Sequence, residues 1–163
     1  MSESDSLASL LGIIQSHPAS RVVLMGPQGA GKTTLGKMAG DVLGYPWYDS
    51  DALILARFHD QYGKAAAEDI AAVYRALGWW RFRYWENQVV KQLLGAPSPC
   101  IISLGGATHV YAPACRLLCR QSVVVGINRF ASTTWGVFFR VQIMRYYANH
   151  LLACVGDGVS TWL

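Results

Sequence analysis

The chain has 163 residues, 52% of them apolar and 15% charged, with a formal net charge of +4. That length is enough for one domain with its own core, and the high apolar share excludes a disordered protein. The positive balance is mild and suits attraction of small anions, but without a Lys/Arg-rich run or a recognition motif it gives no ground for expecting a nucleic-acid partner.

In chain order, residues 1–20 are expected as an N-terminal leader, with Leu7, Leu10, Leu11 and Ile14 on one face of a short helix that His17-Pro18 ends. Arg21 to Met25 reads as a short buried strand. Leu35, Met38, Ala39, Val42 and Leu43 recur at helical spacing and predict a helix over 31–43 that Gly44 stops. Between the two lies Gly26-Pro27-Gln28-Gly29-Ala30-Gly31-Lys32-Thr33, a match to G-x-x-x-x-G-K-[ST]. A strand, a glycine loop and a helix in that order gather backbone N–H groups at a helix N-terminus, where partial positive charge favours a phosphate. In such a loop Lys32 reaches the terminal phosphates and the Thr33 hydroxyl ligates magnesium.

Tyr45 to Asp49 reads as the second strand, 51–77 and roughly 79–94 as helices, and 95–99 as a loop. Cys100 to Leu104 is a third strand running into Gly105-Gly106. Pro113 to Arg120 is a short helix and Ser122 to Ile127 a fourth strand. Strands alternating with helices predict a three-layer α/β/α domain of the phosphate-loop nucleotide-hydrolase type over 21–163, with a mainly parallel sheet. Residues 128–163 break the pattern. Trp135 to Tyr147 reads as a helix of poor period, and Gly156-Asp157-Gly158 as a turn, so the sheet is expected to be incomplete or diverged toward the C-terminus. No apolar stretch reaches membrane-spanning length, and the acidic residues in Met1 to Asp5 are unlike a secretory signal. Cys100, Cys115, Cys119 and Cys154 form no C-x-x-C pair, so free thiols in a cytoplasmic setting are expected rather than a zinc site.

Ligands of open parallel sheets sit beyond the carboxyl ends of the strands. Besides the phosphate loop, Asp49-Ser50-Asp51 follows the second strand, where carboxylates two apart project to one side and can divide magnesium and substrate-hydroxyl duties. Gly105-Gly106 follows the third strand and lets a ligand approach the backbone. Arg83 and Glu86 are i,i+3 neighbours on a helix. Glu86 can hold the arginine with its planar fork aimed at a substrate carboxylate.

Together, residues 26–34, Tyr48-Asp49-Ser50-Asp51, the 78–86 run around Phe82-Arg83-Tyr84-Trp85-Glu86, and Ser103-Leu104-Gly105-Gly106-Ala107 resemble the shikimate kinase family in order and spacing, over roughly 21–127. The likeness is greatest to the kinase domain of the fungal pentafunctional aromatic-pathway enzyme and to related quinate-repressor domains. It implies a phosphotransferase making shikimate 3-phosphate and ADP from shikimate and ATP, in aromatic amino acid biosynthesis. The implied ATP site comprises Gly26, Gly29, Ala30, Gly31, Lys32, Thr33 and Thr34, with Thr33, and Asp49 through water, holding Mg²⁺. Asp51 would bind the shikimate hydroxyls and accept the proton of the attacking one, Arg83 would pair with the carboxylate, and the Gly105-Gly106 backbone would close over the ring. Lys32, Asp51 and Arg83 are the implied catalytic residues. The implied partner is a small-molecule substrate, with no nucleic acid and no membrane, and the oligomeric state is left open.

Three departures from the family are visible, one being that nothing reads clearly as the family's fifth strand or its adenine-contacting segment. Ala107 stands where the family has a third glycine, and no Arg-Pro pair follows residue 120 to supply a lid arginine, leaving Arg140 at a comparable distance in other surroundings. The rival readings are a regulatory module that binds shikimate or quinate without phosphorylating it, and a phosphate-loop kinase for another small-molecule alcohol.

Overall fold

The computed structural model describes residues 3–132, 136–147, 150–155 and 158–161, with side chains described for 4–128. The four sequence-predicted strands form a parallel array: β1 (Arg21–Met25), β2 (Trp47–Asp49), β3 (Cys100–Ser103) and β4 (Val123–Ser132), in the spatial order β2-β3-β1-β4. Val23 lies opposite Ile102 on one side and Val124 on the other, and Asp49 opposite Ser103. β1 and β3 are almost wholly apolar because both faces of a parallel sheet are covered.

Alternation along the strands splits the core in two. Val22, Leu24, Ile101, Val125 and Ile127 face Leu35 and Ala39 of α2 (Lys32–Leu43) and Leu10 and Ile14 of α1 (Glu3–Gln15). Leu10 and Ile14 are fully buried, so the N-terminal helix covers the sheet much as α2 does. On the other face Val23, Met25, Ile102 and Val124 meet α3 (Ser50–Tyr62), α4 (Ile70–Leu93) and α6 (Pro113–Arg120) through Ile54, Phe58, Val89, Val90 and Leu118. Cys100, Cys115 and Cys119 are buried free thiols in this half, while Cys154 lies outside the described side chains. Among the described residues no helix is long and apolar enough to cross a membrane.

One helix boundary differs from expectation and one agrees with it, and both fall at glycine. The helix expected over 51–77 stops at Tyr62, where Gly63 takes φ 86° and ψ 153°, and the chain restarts at Ile70 behind an Asp69 cap. α4 is in turn broken at Gly78, whose φ of 70° and ψ of 166° leave the helical region that other residues keep. The half after the break is the helix expected at 79–94.

The larger difference is beyond β4. Residues 136–147, which fall in the expected helix Trp135 to Tyr147, form β5 (Gly136–Tyr147), followed by β6 (His150–Val155) and β7 (Gly158–Thr161), all antiparallel, so among the described residues the sheet has seven strands in the order β2-β3-β1-β4-β5-β6-β7. Only residues 133–135 separate β4 from β5, far short of the dozen or so residues a parallel crossover needs, so the chain can only fold back. The turn expected at Gly156-Asp157-Gly158 falls largely outside the described residues.

Gly36 of α2 marks how tightly this helix sits on the sheet. A Cβ built there would lie 2.6 Å from Trp47 Nε1 and 2.7 Å from Ser103 Oγ, themselves joined by a hydrogen bond of 3.0 Å. Helix propensity alone favours alanine over glycine by about 1 kcal/mol, while overpacking a close-packed site costs about 1–3 kcal/mol. Gly36→Ala is therefore expected to lower the urea midpoint, and a raised midpoint would show that α2 has room to move.

Candidate active site

The phosphate loop joins β1 to α2. Gly26 has φ 148°, and a Cβ on it would come 1.9 Å from the Ile127 carbonyl oxygen of β4, so no side chain fits while the sheet is intact. Gly29 and Gly31 also take positive φ. Gly31 caps α2 with no side-chain hydrogen bond, and the first turn carries no acidic residue, leaving the helix N-terminus suited to an anion. Lys32 folds over this cradle. Its Nζ donates to the carbonyls of Gly26 (2.8 Å) and Pro27 (2.7 Å), and burial lowers its pKa against the raising pull of Asp51 and Asp49. Thr33 and Thr34 follow, both exposed at the start of α2.

Thr33 Oγ1 donates to Asp49 Oδ2 at 2.7 Å. The other Asp49 oxygen accepts the amides of Asp51 (2.9 Å) and Ala52 (3.1 Å), capping α3. The D-x-D pair is thus split: Asp49 closes β2 and faces the phosphate loop, whereas Asp51 lies in the first turn of α3. Burial pushes the Asp51 carboxyl up to about 6; Asp49 and Glu86 add to this, and Lys32 and Arg83 oppose it.

Arg83 and Glu86 lie on the second half of α4. Arg83 Nη1 donates to Glu86 Oε2 at 2.7 Å, and Glu86 is 2% exposed. The pair anticipated as i,i+3 neighbours is therefore a partly buried ion pair rather than a surface one. Gly105 and Gly106 leave β3 where backbone and side chains crowd together. Gly105 N–H donates to Ser50 Oγ at 2.8 Å, and a Cβ there would come 2.5 Å from Asp51 Oδ1. A Cβ on Gly106 would come 2.9 Å from Gln28 N in the phosphate loop. Ala107 has φ −115° and ψ 4°, a conformation open to any residue, so the alanine in place of a third glycine puts no strain on the backbone.

All the sequence-identified positions, from Gly26 to Thr34 and including Asp49, Asp51, Arg83, Gly105 and Gly106, therefore gather at the carboxyl end of the parallel strands. Lys32, Glu86 and Arg83 all lie close enough to Asp51 to act on its charge. Arg140 does not join them as part of a loop: it lies within β5, in register with Asn128 of β4. Three participants were missed by reading the sequence. Ser50 holds the Gly105 amide, Thr108 donates to Glu86 Oε1 at 2.8 Å, and the Tyr111 ring lies 4.4 Å from the Arg83 guanidinium carbon. The one available signal was the i,i+3 spacing of Thr108 and Tyr111 just after the glycine pair.

A carboxyl raised from 3.8 to about 6 holds its proton more tightly folded than unfolded, so its ionisation opposes folding. This group costs nothing below about pH 3.8, costs progressively more as pH rises to about 6, and its full cost applies above that. Asp51→Asn is expected to be more stable than the parent at pH 8, by up to roughly 3 kcal/mol, with the gap closing toward pH 4. Urea unfolding at both pH values measures this. A gap independent of pH would contradict the burial of Asp51.

Known proteins resemble this chain in sequence and in fold. The family model described as shikimate kinase matches residues 28–135. The shikimate kinase of Geobacter sulfurreducens is 37% identical over 111 residues, which are 68% of this chain and 55% of the relative. That of Ruegeria pomeroyi is 32% identical over 114 residues, 70% of this chain and 54% of the relative. The chain thus spans about half the length of the curated relatives it matches. The crystal structure of shikimate kinase from Bacteroides thetaiotaomicron superposes with a TM-score of 0.57 at 28% identity, covering 67% of this chain and 57% of that one. With its phosphate loop, split aspartates, arginine and glycine pair all at one end of the sheet, the chain belongs to the shikimate kinase family.

Proposed function

We propose that this chain is a cytoplasmic ATP-dependent phosphotransferase that moves the terminal phosphoryl group of ATP onto a hydroxyl of shikimate, in aromatic amino acid biosynthesis. The observation that carries the reading is the place of Asp51, within electrostatic reach of Lys32 on the donor side and Arg83 on the acceptor side. A phosphate-handling cation and a carboxylate-binding cation then share one crevice with a carboxylate between them.

The roles follow from the contacts. Lys32 exchanges its Gly26 and Pro27 carbonyls for the terminal phosphates, while the amides at the head of α2 and the Gly29, Ala30, Gly31, Thr33 and Thr34 backbone cradle them. Arg83 keeps one nitrogen on Glu86 and offers the rest of its fork to the shikimate carboxylate. Gly105 and Gly106, bare of side chains, leave room for the ring against Asp51. With a pKa of about 6, Asp51 is mostly ionised at pH 7 and is basic enough to take a hydroxyl proton. That proton passes to Asp51 as the shikimate oxygen bonds to phosphorus and the bond to the ADP oxygen breaks. Most of the acceleration in such a reaction comes from positioning and charge neutralisation, and the alternating charges of Lys32, Asp51, Arg83 and Glu86 supply both.

A divalent metal suits the residues present. Thr33 Oγ1 and Asp49 Oδ2 are hard oxygen donors held 2.7 Å apart beside the loop, the type of partner magnesium takes while keeping most of its waters. When bound there it would neutralise the developing charge on the phosphates.

A coupled assay of ADP release tests the proposal. Shikimate-dependent turnover is expected, falling about 100-fold or more in Lys32→Ala. Activity in the parent no greater than in that variant rejects phosphotransfer, and shikimate binding without turnover identifies the regulatory reading instead. The pH profile of kcat/KM is expected to rise through a limb near 6, set by Asp51.

A further inference from the structure

Arg83 is gripped on several sides. Its Nη1 bonds Glu86 Oε2 at 2.7 Å, and its guanidinium carbon lies 4.4 Å from the Tyr111 ring centroid and 5.3 Å from that of Phe82. Its Nε is buried and has no hydrogen-bond partner. Glu86, 2% exposed, would find its best match in a bidentate fork with Arg83, which would take up the edge of the guanidinium that an incoming carboxylate needs. It does not form one. The second Glu86 oxygen is already taken by Thr108 Oγ1 at 2.8 Å, and Thr108 is fully buried.

Thr108 and Tyr111 both belong to α5 (Thr108–Tyr111), a single turn that follows Gly105-Gly106-Ala107 directly. The Thr108 amide donates to the Gly105 carbonyl at 3.2 Å and the Ala112 amide to the Thr108 carbonyl at 2.9 Å, so the turn is fixed to the glycine segment. Spacing of i,i+3 sets the Thr108 hydroxyl and the Tyr111 ring on one side, toward Glu86 and Arg83 respectively. One short segment thus carries both the glycine pair and the two groups that hold the arginine.

We propose that Thr108 and Tyr111 are positioning residues for the acceptor site: Thr108 occupies one Glu86 oxygen and so keeps the Glu86–Arg83 pair monodentate, while Tyr111 holds the guanidinium plane, leaving an open edge of Arg83 for the acceptor's carboxylate. This rests on the phosphotransfer reading above and specifies how its acceptor is selected. Loss of the Thr108 hydroxyl frees Glu86 to bind Arg83 through both oxygens, and the acceptor carboxylate must then compete for the fork. Phosphoryl transfer itself, carried out by Lys32 and Asp51, is untouched once the acceptor is bound.

The test is a steady-state comparison of the parent with Thr108→Val, Thr108→Ser, Tyr111→Leu and Tyr111→Phe, using shikimate and its analogue in which hydrogen replaces the carboxylate. Thr108→Val keeps the shape of the buried side chain, and a thermal melt checks that it folds. It is expected to raise KM for shikimate about 10- to 100-fold with kcat within about twofold, the range set by loss of one hydrogen bond to a charged group. Thr108→Ser restores the parent KM. Tyr111→Leu raises KM about two- to fivefold, as loss of a partly exposed cation–π contact should, and Tyr111→Phe leaves it unchanged. With the carboxylate-free analogue the parent and Thr108→Val are expected to be alike. A penalty of equal size on both acceptors, or none on either, overturns the proposal. If shikimate binds without turnover, phosphotransfer is refuted while the same pattern, read as Kd by calorimetry, still decides the positioning role. If shikimate does not bind at all, both fall.

Discussion

The site depends on how the Asp49 carboxylate is divided. One oxygen accepts the Thr33 hydroxyl at the head of α2, and the other caps α3 through the amides of Asp51 and Ala52. A cap of this kind contributes about 1 kcal/mol to a helix. Its larger effect here is geometric. It ties the helix that follows the phosphate loop to the helix that carries Asp51, so the distance between the phosphate cradle and the candidate base is set by one short, rigid side chain. Sequence logic treated Asp49 and Asp51 as carboxylates sharing a face of an extended segment. The chain turns helical between them, and so Asp49 becomes a structural link as well as a candidate metal contact.

Around that link, charges alternate. Lys32, Asp51, Arg83 and Glu86 each meet a neighbour of opposite sign, and each would be costly to bury alone. The effect is clearest at Asp51, where burial and two nearby carboxylates outweigh two cations and set a pKa of about 6. Such tuning is common where acid–base chemistry is done near neutral pH. Backbone completes the crevice. At Gly26, Gly105 and Gly106 any Cβ would meet β4, Asp51 or the phosphate loop, so these three residues are glycine for reasons of space as well as ligand access.

Much of this was legible in residues 21–127 because several signals agreed. A strand-length apolar run, a glycine loop and a helical period fixed β1 and α2. Strand ends carrying Asp49-Ser50-Asp51 and Gly105-Gly106 fixed where ligand chemistry would gather, and the i,i+3 spacing of Arg83 and Glu86 fixed their pairing. What escaped were contacts between distant parts of the chain. Nothing in local sequence says that Ser50 will hold the Gly105 amide, or that Thr108 will reach Glu86. The helix break at Gly63 was available as a signal and was outweighed by the apolar and alanine-rich runs around it.

The segment after β4 was misread for a different reason. Val137, Phe139, Val141 and Ile143 alternate with Phe138, Arg140, Gln142 and Met144, a period of two partly hidden by apolar residues in both sets. A three-residue connection from β4 should have favoured a hairpin over a crossover. The result is a parallel half that carries the phosphate loop, extended by an antiparallel meander, with Arg140 in a strand where the family resemblance implied a lid.

The central claim is that one crevice seats both the nucleotide phosphates and the carboxylated acceptor. Amide chemical shifts, followed while each ligand is added in turn, test it most directly. Mg-ADP is expected to move the amides of residues 28–34, shikimate those of Arg83, Gly105 and Gly106, and both together that of Asp51. Shikimate shifts that fall away from Arg83 and Gly105, or the same Asp51 response whichever ligand is present, would contradict it.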